Sequence, residues 1–471
     1  MDFSKQELID FLISSHVLRT DDYFRLKNDR LAPYFINIGG FDNGLAMRKL
    51  GDAFASLILS LGKQFDLLFG PAYKGIPIVI GTAISLSQQG SNVGIVYNRK
   101  EAKTHGEAGE KQDSQKSLLI GTHLNEDDRV IILDDVLTTA GTKIEIIDML
   151  KKMCPSVNIL AVIILVDRQE INVKGQNAIE EFTMSTRIPV IPVLTSLDII
   201  QYLESTHIID RTKLDRIKTY MRVYGTHIVK NQLGKIPMQT IINSQKSIIP
   251  ACDVPTLEEF DTLLRETSEL TEIGGYKLGF ELALTYGLPK LVEHARKFTN
   301  KPLIYDHQKA GTDIPEKGKE FASVCKNAGI DTVILFPQAG PETERAWIYH
   351  ALERGLNVIV GGLMSHKTYT ANEGGFITDA GAMEIYRIAA QSGINNFVIP
   401  ATKPNVIQSI QEIIEREGIV PTFYSPGFFA QGGNVETFKQ LLGGRIHVIV
   451  GRELLKSDDK KQTVLEIMKK L

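Results

Sequence analysis

At 471 residues the chain exceeds what one hydrophobic core usually organises, so two domains of ordinary size are expected. Apolar residues make up 43% and charged residues 23%, the formal net charge is -3, and no run approaches the ~20 apolar residues of a membrane span. Nothing in this balance calls for membrane or nucleic acid, and the start Met1-Asp-Phe-Ser-Lys-Gln-Glu7 carries acids where a secretory signal carries bases, which points to the cytoplasm. Cys154, Cys252 and Cys325 are scattered without CxxC spacing beside apolar runs, and read as packing residues rather than disulfides or zinc ligands.

Apolar, strand-like runs alternate with amphipathic segments of helical length, the pattern of an α/β protein. The first predicted strands are 67–69, 93–96, 130–133 and 159–166, followed by a helical stretch from Ser196 to about Tyr224. Next comes Gly225-Thr-His-Ile-Val-Lys-Asn-Gln-Leu-Gly-Lys-Ile-Pro-Met238, polar and broken by two glycines and a proline. It predicts a linker over 226–246 between a first domain, 1–225, and a second, 247–471. A second strand series begins at Ile248, Tyr276, Leu303, Val333, Val358, Phe397, Thr422 and Val448. Eight strands separated by helical segments over this length are the signature of a (β/α)8 TIM barrel.

The most informative segment is Val130-Ile-Ile-Leu-Asp-Asp-Val-Leu-Thr-Thr-Ala-Gly-Thr-Lys143. Four apolar residues suit a central strand covered on both faces. Thr138, Thr139, Ala140, Gly141 and Thr142 then form a small, hydroxyl-rich loop that can close around an anion where the next helix starts, and Asp134 and Asp135 sit where a ribose diol could be held. The plainer reading is an ordinary strand-turn-helix junction with an acidic turn. The segment resembles the phosphoribosyl pyrophosphate (PRPP) signature of the type I phosphoribosyltransferases, Asp-Asp-Val-x-Thr-Ala-Gly-Thr, with one threonine more. The resemblance implies that the acids contact the ribose hydroxyls and the loop holds the 5′-phosphate.

Phe69-Gly-Pro-Ala-Tyr-Lys-Gly-Ile-Pro77 offers backbone amides with Tyr73 and Lys74 at a tight turn, a site suited to pyrophosphate. It resembles the corresponding segment of orotate phosphoribosyltransferases. Tyr97-Asn-Arg-Lys-Glu-Ala-Lys-Thr-His-Gly-Glu-Ala-Gly109 gathers Arg99, Lys100, Lys103 and His105, and is similar to the mobile catalytic loop of those enzymes. That similarity implies PRPP binding by all four bases, with Lys103 as the prime catalytic residue and His105 its helper, acting in the neighbouring subunit's site. Leu26-Lys-Asn-Asp-Arg-Leu-Ala-Pro-Tyr-Phe-Ile-Asn37 departs from the family in having Asn28-Asp29 where Ser-Gly is usual. The match still implies that Lys27 and Phe35 face the base and sugar, Lys27 also reaching PRPP, and that Arg168, after a strand, pairs with the carboxylate of orotate. The likeness runs from about residue 5 to Gly225 and implies Mg²⁺ carried by PRPP, with no metal site of the protein's own.

Charged residues gather at the expected strand ends in Ile249-Pro-Ala-Cys-Asp-Val254, Gly275-Tyr-Lys-Leu-Gly-Phe280 and Tyr305-Asp-His-Gln-Lys-Ala-Gly-Thr-Asp-Ile-Pro315, followed by Leu363-Met-Ser-His366, Ser425-Pro-Gly-Phe-Phe-Ala-Gln-Gly-Gly-Asn434 and Val450-Gly-Arg452. By these motifs the second domain resembles orotidine 5′-phosphate (OMP) decarboxylase over about 247–471. The resemblance implies Asp253 and Lys277 at the first two strands, and Asp306, Lys309 and Asp313 around the third. Ser365 would contact the pyrimidine, and Pro426, Gln431, Gly451 and Arg452 would hold the phosphate. The family's third-strand signature is Asp-x-Lys-x-x-Asp, whereas this chain has one extra residue on each side of the lysine, and Lys317 stands where a threonine is usual. Gly311 lets a loop absorb the insertion, so Lys309 is expected to keep the catalytic place. Lys277, Asp306, Lys309 and Asp313 form the implied catalytic group, no metal or organic cofactor is needed in this half, and Asp313 is expected to act across a dimer interface. The two likenesses imply consecutive reactions on the small molecules orotate, PRPP and OMP, in a homodimer or higher homo-oligomer with shared active sites. The alternatives are another sugar-phosphate decarboxylase or aldolase of the same barrel superfamily, and a PRPP-sensing regulatory domain fused to a decarboxylase.

Overall fold

The structure, a computed structural model, describes residues 4–99, 118–137, 140–307, 310–426 and 444–471. The chain forms two compact units and passes from one to the other at Gln232 and Leu233.

The first unit opens with α1 (Lys5–Ser14) and four two-residue strands, β1 (Leu18–Arg19), β2 (Phe24–Arg25), β3 (Leu31–Ala32) and β4 (Phe35–Ile36), paired as β1 with β4 and β2 with β3. There follow α2 (Gly44–Ser60), β5 (Leu67–Gly70), α3 (Gly75–Gln88), β6 (Gly94–Asn98), β7 (Leu119–Gly121), β8 (Arg129–Asp134), α4 (Ala140–Met153), β9 (Asn158–Asp167), α5 (Ala178–Thr186) and β10 (Val190–Thr195). The six-stranded sheet has the order β10-β9-β8-β5-β6-β7 and is parallel except at β7. Phe69, Val130, Ile132, Val162 and Ile164 bury one face against Ile147 and Leu150 of α4 and Phe182 of α5. Their alternates Leu68, Ile131 and Ile163 are equally buried, as expected of strands covered on both sides.

The short strands β1–β4 are not expected from the sequence, and neither are two strands of the six-stranded sheet. β10 is an edge strand interrupted by Pro192, which breaks the propensity pattern yet is tolerated where one side of the ladder is unpaired. β7 is only three residues long. The expected helix from Ser196 is two, α6 (Ser196–Thr206) and α7 (Arg211–Tyr224). His207 enters the left-handed region at φ 53°, and the Asp210 side chain caps α7 by accepting from Thr212 N at 2.7 Å.

The second unit is a closed barrel of eight parallel strands: β11 (Lys246–Cys252), β12 (Tyr276–Leu278), β13 (Leu303–Asp306), β14 (Thr332–Leu335), β15 (Asn357–Gly361), β16 (Asn396–Val398), β17 (Thr422–Pro426) and β18 (Arg445–Val450). Each of the eight expected strand positions falls within one of them. Ile249, Ile304, Ile334, Ile359, Val398 and Ile449 fill the interior. After α8 (His227–Leu233), the helices α9 (Leu257–Thr267), α10 (Phe280–Tyr286), α11 (Leu288–Arg296), α12 (Lys317–Asn327) and α13 (Pro341–Glu353) are among those that connect the strands.

The stretch expected as a linker is structured. It holds the helix His227–Leu233, and its later part closes the barrel at the N-terminal ends of the strands. Gln239 N donates to Asn395 Oδ1 at 3.1 Å, Asn396 Nδ2 donates to Gln239 O at 3.1 Å, and Val358 N donates to Gln239 Oε1 at 3.0 Å. Ile241 and Ile242 join the interior cluster, and Arg445 Nη2 donates to the carbonyls of Ile242 and Asn243 at 3.0 and 2.7 Å. Burying two isoleucines is worth about 3–6 kcal/mol, a large share of a domain's net stability. A chain starting at Lys235 is therefore expected to give a folded barrel, while one starting at Ser247 should unfold at markedly lower urea concentration. Equal midpoints for the two would show that the segment contributes nothing.

Candidate functional site

In the first unit the sheet order reverses at β5 and β8: β6 continues from β5 in one direction, β9 and β10 from β8 in the other. Ligands of open α/β sheets bind in the crevice at such a switch point, beyond the carboxyl ends of the strands. Two segments meet there. After β5 the chain makes the tight turn Gly70 to Gly75, where a Cβ on Gly70 would come within 2.4 Å of the Gly75 carbonyl oxygen and one on Gly75 within 2.5 Å of Pro71 Cδ. Only glycine fits at both ends. The turn leaves Tyr73 exposed, contains a cis Ala72–Tyr73 peptide bond, and places the Lys74 ammonium 2.6 Å from Asp135 Oδ2.

After β8, Asp134 and Asp135 are both buried. Asp134 Oδ1 accepts from Asp135 N at 2.8 Å, and Asp135 Oδ1 accepts from Val136 N at 2.7 Å, so each carboxylate is oriented by the backbone. Ala140, Gly141 and Thr142 form the first turn of α4, a position suited to an anion. The residue after them, Lys143, was not singled out from the sequence. Its buried ammonium contacts Asp134. Burial, together with the charges of Lys27 and Lys74, pushes Lys143 down to about 8, against the pull of the Asp134 carboxylate. Lys74 and Lys143 thus face the two acids at the switch point and the charge of Lys27 is felt there too, a field that favours a polyanion.

Among the described residues no three His, Cys, Asp or Glu side chains gather to hold a metal ion. Asp134 and Asp135 are oxygen donors of the kind a hard divalent cation takes, and they would offer it charge if one were bound there together with a substrate. Arg99, just after β6, donates its backbone N–H to Leu118 O at 2.8 Å. Lys100, Lys103, His105, Thr138 and Thr139, and the side chains of Ala140 and Thr142, lie outside the described residues.

Phe35, half-buried, stacks on Phe24 with ring centres 5.5 Å apart, and Lys27 is exposed. Arg168, just after β9, is largely but not fully enclosed and is bonded to Glu170, with Nη2 to Oε1 at 2.6 Å. Burial alone would pull this guanidinium down, and Glu170 more than reverses that. Glu170 and its tyrosine partners, Tyr34 and Tyr220, have no role assigned from the sequence, although Tyr34 and Glu170 lie within motifs that mark Phe35 and Arg168.

In the barrel the site follows from strand register. Lys277 pairs with Ala251 on one side and Ile304 on the other. Asp253 and Asp306 each lie two residues beyond those partners, on the same inward face and ~6.6 Å further along, within reach of an extended lysine. Lys277 Nζ sits 3.1 Å from Asp306 Oδ2 and 3.5 Å from Asp253 Oδ1. Burial works to lower the ammonium, but the two carboxylates outweigh it and the net shift is upward, keeping Lys277 charged. Asp306 is nearly enclosed, whereas the Asp253 side chain is 52% exposed and open to a ligand.

Beyond β13, Gly311 at φ 91° allows the loop to pass Pro337, whose Cα would lie 2.9 Å from an added Cβ. Asp313 is exposed, its Oδ1 accepting from Ile314 N at 2.7 Å. Lys317 opens α12 at the surface, 2.6 Å from Glu320. Ser365 follows β15, its carbonyl accepting from Thr402 Oγ1 at 2.9 Å. Pro426 ends β17, and Gly451 and Arg452 follow β18, which pairs with β17. All of these occupy the C-terminal face of the barrel, where the catalytic groups of this fold collect. Lys309 and Gln431 lie outside the described residues.

Comparison with known proteins agrees with both halves. The phosphoribosyl transferase domain model matches residues 41–198, and the orotidine 5′-phosphate decarboxylase / HUMPS family model matches residues 246–467. An orotate phosphoribosyltransferase of Clostridium acetobutylicum is 37% identical over 233 residues, covering 48% of this chain and 99% of the relative. That of Yersinia pestis is 41% identical over 202 residues, covering 42% of this chain and 87% of the relative. A solved orotate phosphoribosyltransferase of Francisella tularensis aligns with 47% of this chain and all of its own at 28% identity, with a TM-score of 0.40. The chain belongs to the orotate phosphoribosyltransferase family over its first half and carries an orotidine 5′-phosphate decarboxylase domain in its second, which makes it a bifunctional enzyme.

Proposed function

We propose that the first unit joins orotate to the ribose of PRPP, giving OMP and pyrophosphate, and that the second decarboxylates OMP to UMP. The observation that carries this reading is the pairing, in one chain, of an acid-and-lysine site at a sheet switch point with a buried lysine between two carboxylates in a barrel. The product of the first chemistry is the substrate of the second.

Breaking the bond between the anomeric carbon and pyrophosphate builds positive character on the ribose and negative charge on the leaving group, and both need stabilisation. Asp134 and Asp135 hold the ribose hydroxyls, while Lys74, Tyr73 and the bases Arg99, Lys100, Lys103 and His105 face the diphosphate. Mg²⁺ bound to PRPP supplies charge neutralisation at its oxygens. Phe35 and Lys27 place the pyrimidine, and Arg168 holds its carboxylate while a ring nitrogen attacks from the opposite face. Positioning carries much of the rate.

In the barrel, loss of carbon dioxide leaves a carbanion with no adjacent electron sink, so a proton donor must stand beside that carbon. Lys309 fills that role, held charged by Asp306 and Asp313, the latter from a partner subunit. Lys277 and Asp253 align the ribose end of OMP, Ser365 the pyrimidine, and Pro426, Gln431, Gly451 and Arg452 the phosphate. This half needs no metal or organic cofactor. The active form is a homodimer or larger homo-oligomer in the cytoplasm.

Orotate, PRPP and Mg²⁺ supplied together should be consumed with UMP as the accumulating product. A chelator should stop that reaction and leave the decarboxylation of added OMP untouched. Accumulation of OMP, or chelator-sensitive decarboxylation, would remove the barrel assignment and favour a Mg²⁺-dependent relative of the same superfamily.

A further inference from the structure

What surrounds Arg168 is more than a counter-ion. Its Nε and Nη2 both donate to Glu170 Oε1, at 2.9 and 2.6 Å. The Tyr34 hydroxyl donates to the same oxygen at 3.1 Å, and the Tyr220 hydroxyl donates to Oε2, also at 3.1 Å. The Tyr34 ring centre lies 4.2 Å from the guanidinium carbon, so the cation is fixed from one side and from one face. Tyr34 itself is held by contact with Ser196 Oγ at 3.2 Å, and Ser196 Oγ donates to Arg168 O at 2.7 Å.

The backbone between the two charged residues is over-determined as well. Gln169 takes a left-handed conformation, φ 51°, which a non-glycine residue keeps only where its surroundings demand it. Here Gln169 N donates to Asp167 Oδ1 at 2.7 Å, Gln169 Oε1 accepts from Leu197 N at 3.1 Å, and Gln169 O accepts from Thr226 N at 2.8 Å. A surface ion pair needs none of this.

We infer that Glu170 is a positioning residue for orotate: by occupying the Nε side of Arg168 it presents the opposite, Nη1 edge of the guanidinium to the substrate carboxylate. The inference rests on the reading of Arg168 as the orotate contact. Among the described residues nothing bonds Nη1, and a planar guanidinium with one edge engaged can still offer a second edge to a carboxylate. Because the tyrosine hydroxyls occupy both oxygens of Glu170, its carboxylate cannot turn to follow a mobile arginine, and the open edge keeps one direction.

The test is a set of single and double variants assayed in the full chain. Glu170→Gln keeps the shape and removes the charge, and orotate KM is expected to rise roughly tenfold to a hundredfold while PRPP KM and decarboxylation of added OMP stay unchanged. Arg168→Ala should raise orotate KM at least as far. Since Glu170 acts through Arg168, the double variant should be no worse than Arg168→Ala alone. Tyr220→Phe removes one donor to Glu170 without altering charge, and should raise orotate KM by a smaller factor, about two- to fivefold, again without moving PRPP KM. Thermal unfolding checks each variant, and Tyr220→Phe decides the matter if Glu170→Gln does not fold. If Arg168→Ala leaves orotate KM unchanged, the reading of Arg168 fails first. If Arg168→Ala raises it but the Glu170 or Tyr220 variants move both KM values equally, or move neither, or add their full loss to that of Arg168→Ala, Glu170 has a structural role only and the inference is overturned.

Discussion

Replacing Lys309 with alanine is expected to lower OMP turnover by ~10²–10⁴-fold or more, since a positioned acid alone contributes that much and its loss also unbalances the surrounding charges. Lys277→Ala should fail differently. Its ammonium lies between Asp306 and Asp253, and removing one member of a buried ion pair is destabilising by about 3–5 kcal/mol. OMP binding and the thermal midpoint of the barrel should therefore fall together with turnover. Lys317→Ala should be nearly silent, because that side chain is at the surface paired with Glu320, and such pairs contribute ~0–1 kcal/mol. Orotate transfer, measured in the same preparations, reports whether the first unit is intact. An active Lys309→Ala beside a dead Lys317→Ala would mean that the loop after β13 has been misaligned by its insertions and that the proton donor is another lysine.

The chain announces its architecture more openly than its polar interiors. Parallel strands buried on both faces are continuous apolar runs, which is why Val130–Leu133 and all eight barrel strands stand out. β10 does not, because Pro192 interrupts it and only its edge position makes that tolerable. The segment 239–243 looks like a linker because glycine, proline and polar residues surround it. Its role comes from partners far along the chain, Val358, Asn395, Asn396 and Arg445, and the apolar pair Ile241-Ile242 was the one local sign. The site residues divide in the same way. Asp134, Asp135 and Lys74 belong to compact motifs, whereas Tyr34, Glu170 and Tyr220 come from three separate parts of the sequence and are joined only by folding. Lys143 adjoins a recognised motif, but only the fold shows that its ammonium turns back onto Asp134.

Lys103→Ala is expected to cut OMP formation by ~10²–10³-fold while added OMP is decarboxylated at the normal rate. The argument is one of charge and topology. The leaving pyrophosphate gains negative charge in the transition state, and Lys103 belongs to a segment bearing Arg99, Lys100 and His105 as well. In sequence it lies between β6 and β7, strands paired in antiparallel register with Asn98 opposite Leu119. Both strands belong to the switch-point sheet, where β6 adjoins β5, and not to the barrel. If the lysine serves the neighbouring subunit, mixing Lys103→Ala chains with Asp135→Asn chains should restore transfer. Random pairing makes half the dimers mixed, and each mixed dimer has one site with both groups intact, so about one quarter of the normal rate should return. No recovery in verified mixed dimers would place Lys103 in its own subunit's site, and loss of decarboxylation in folded Lys103→Ala would show that the two activities are not independent.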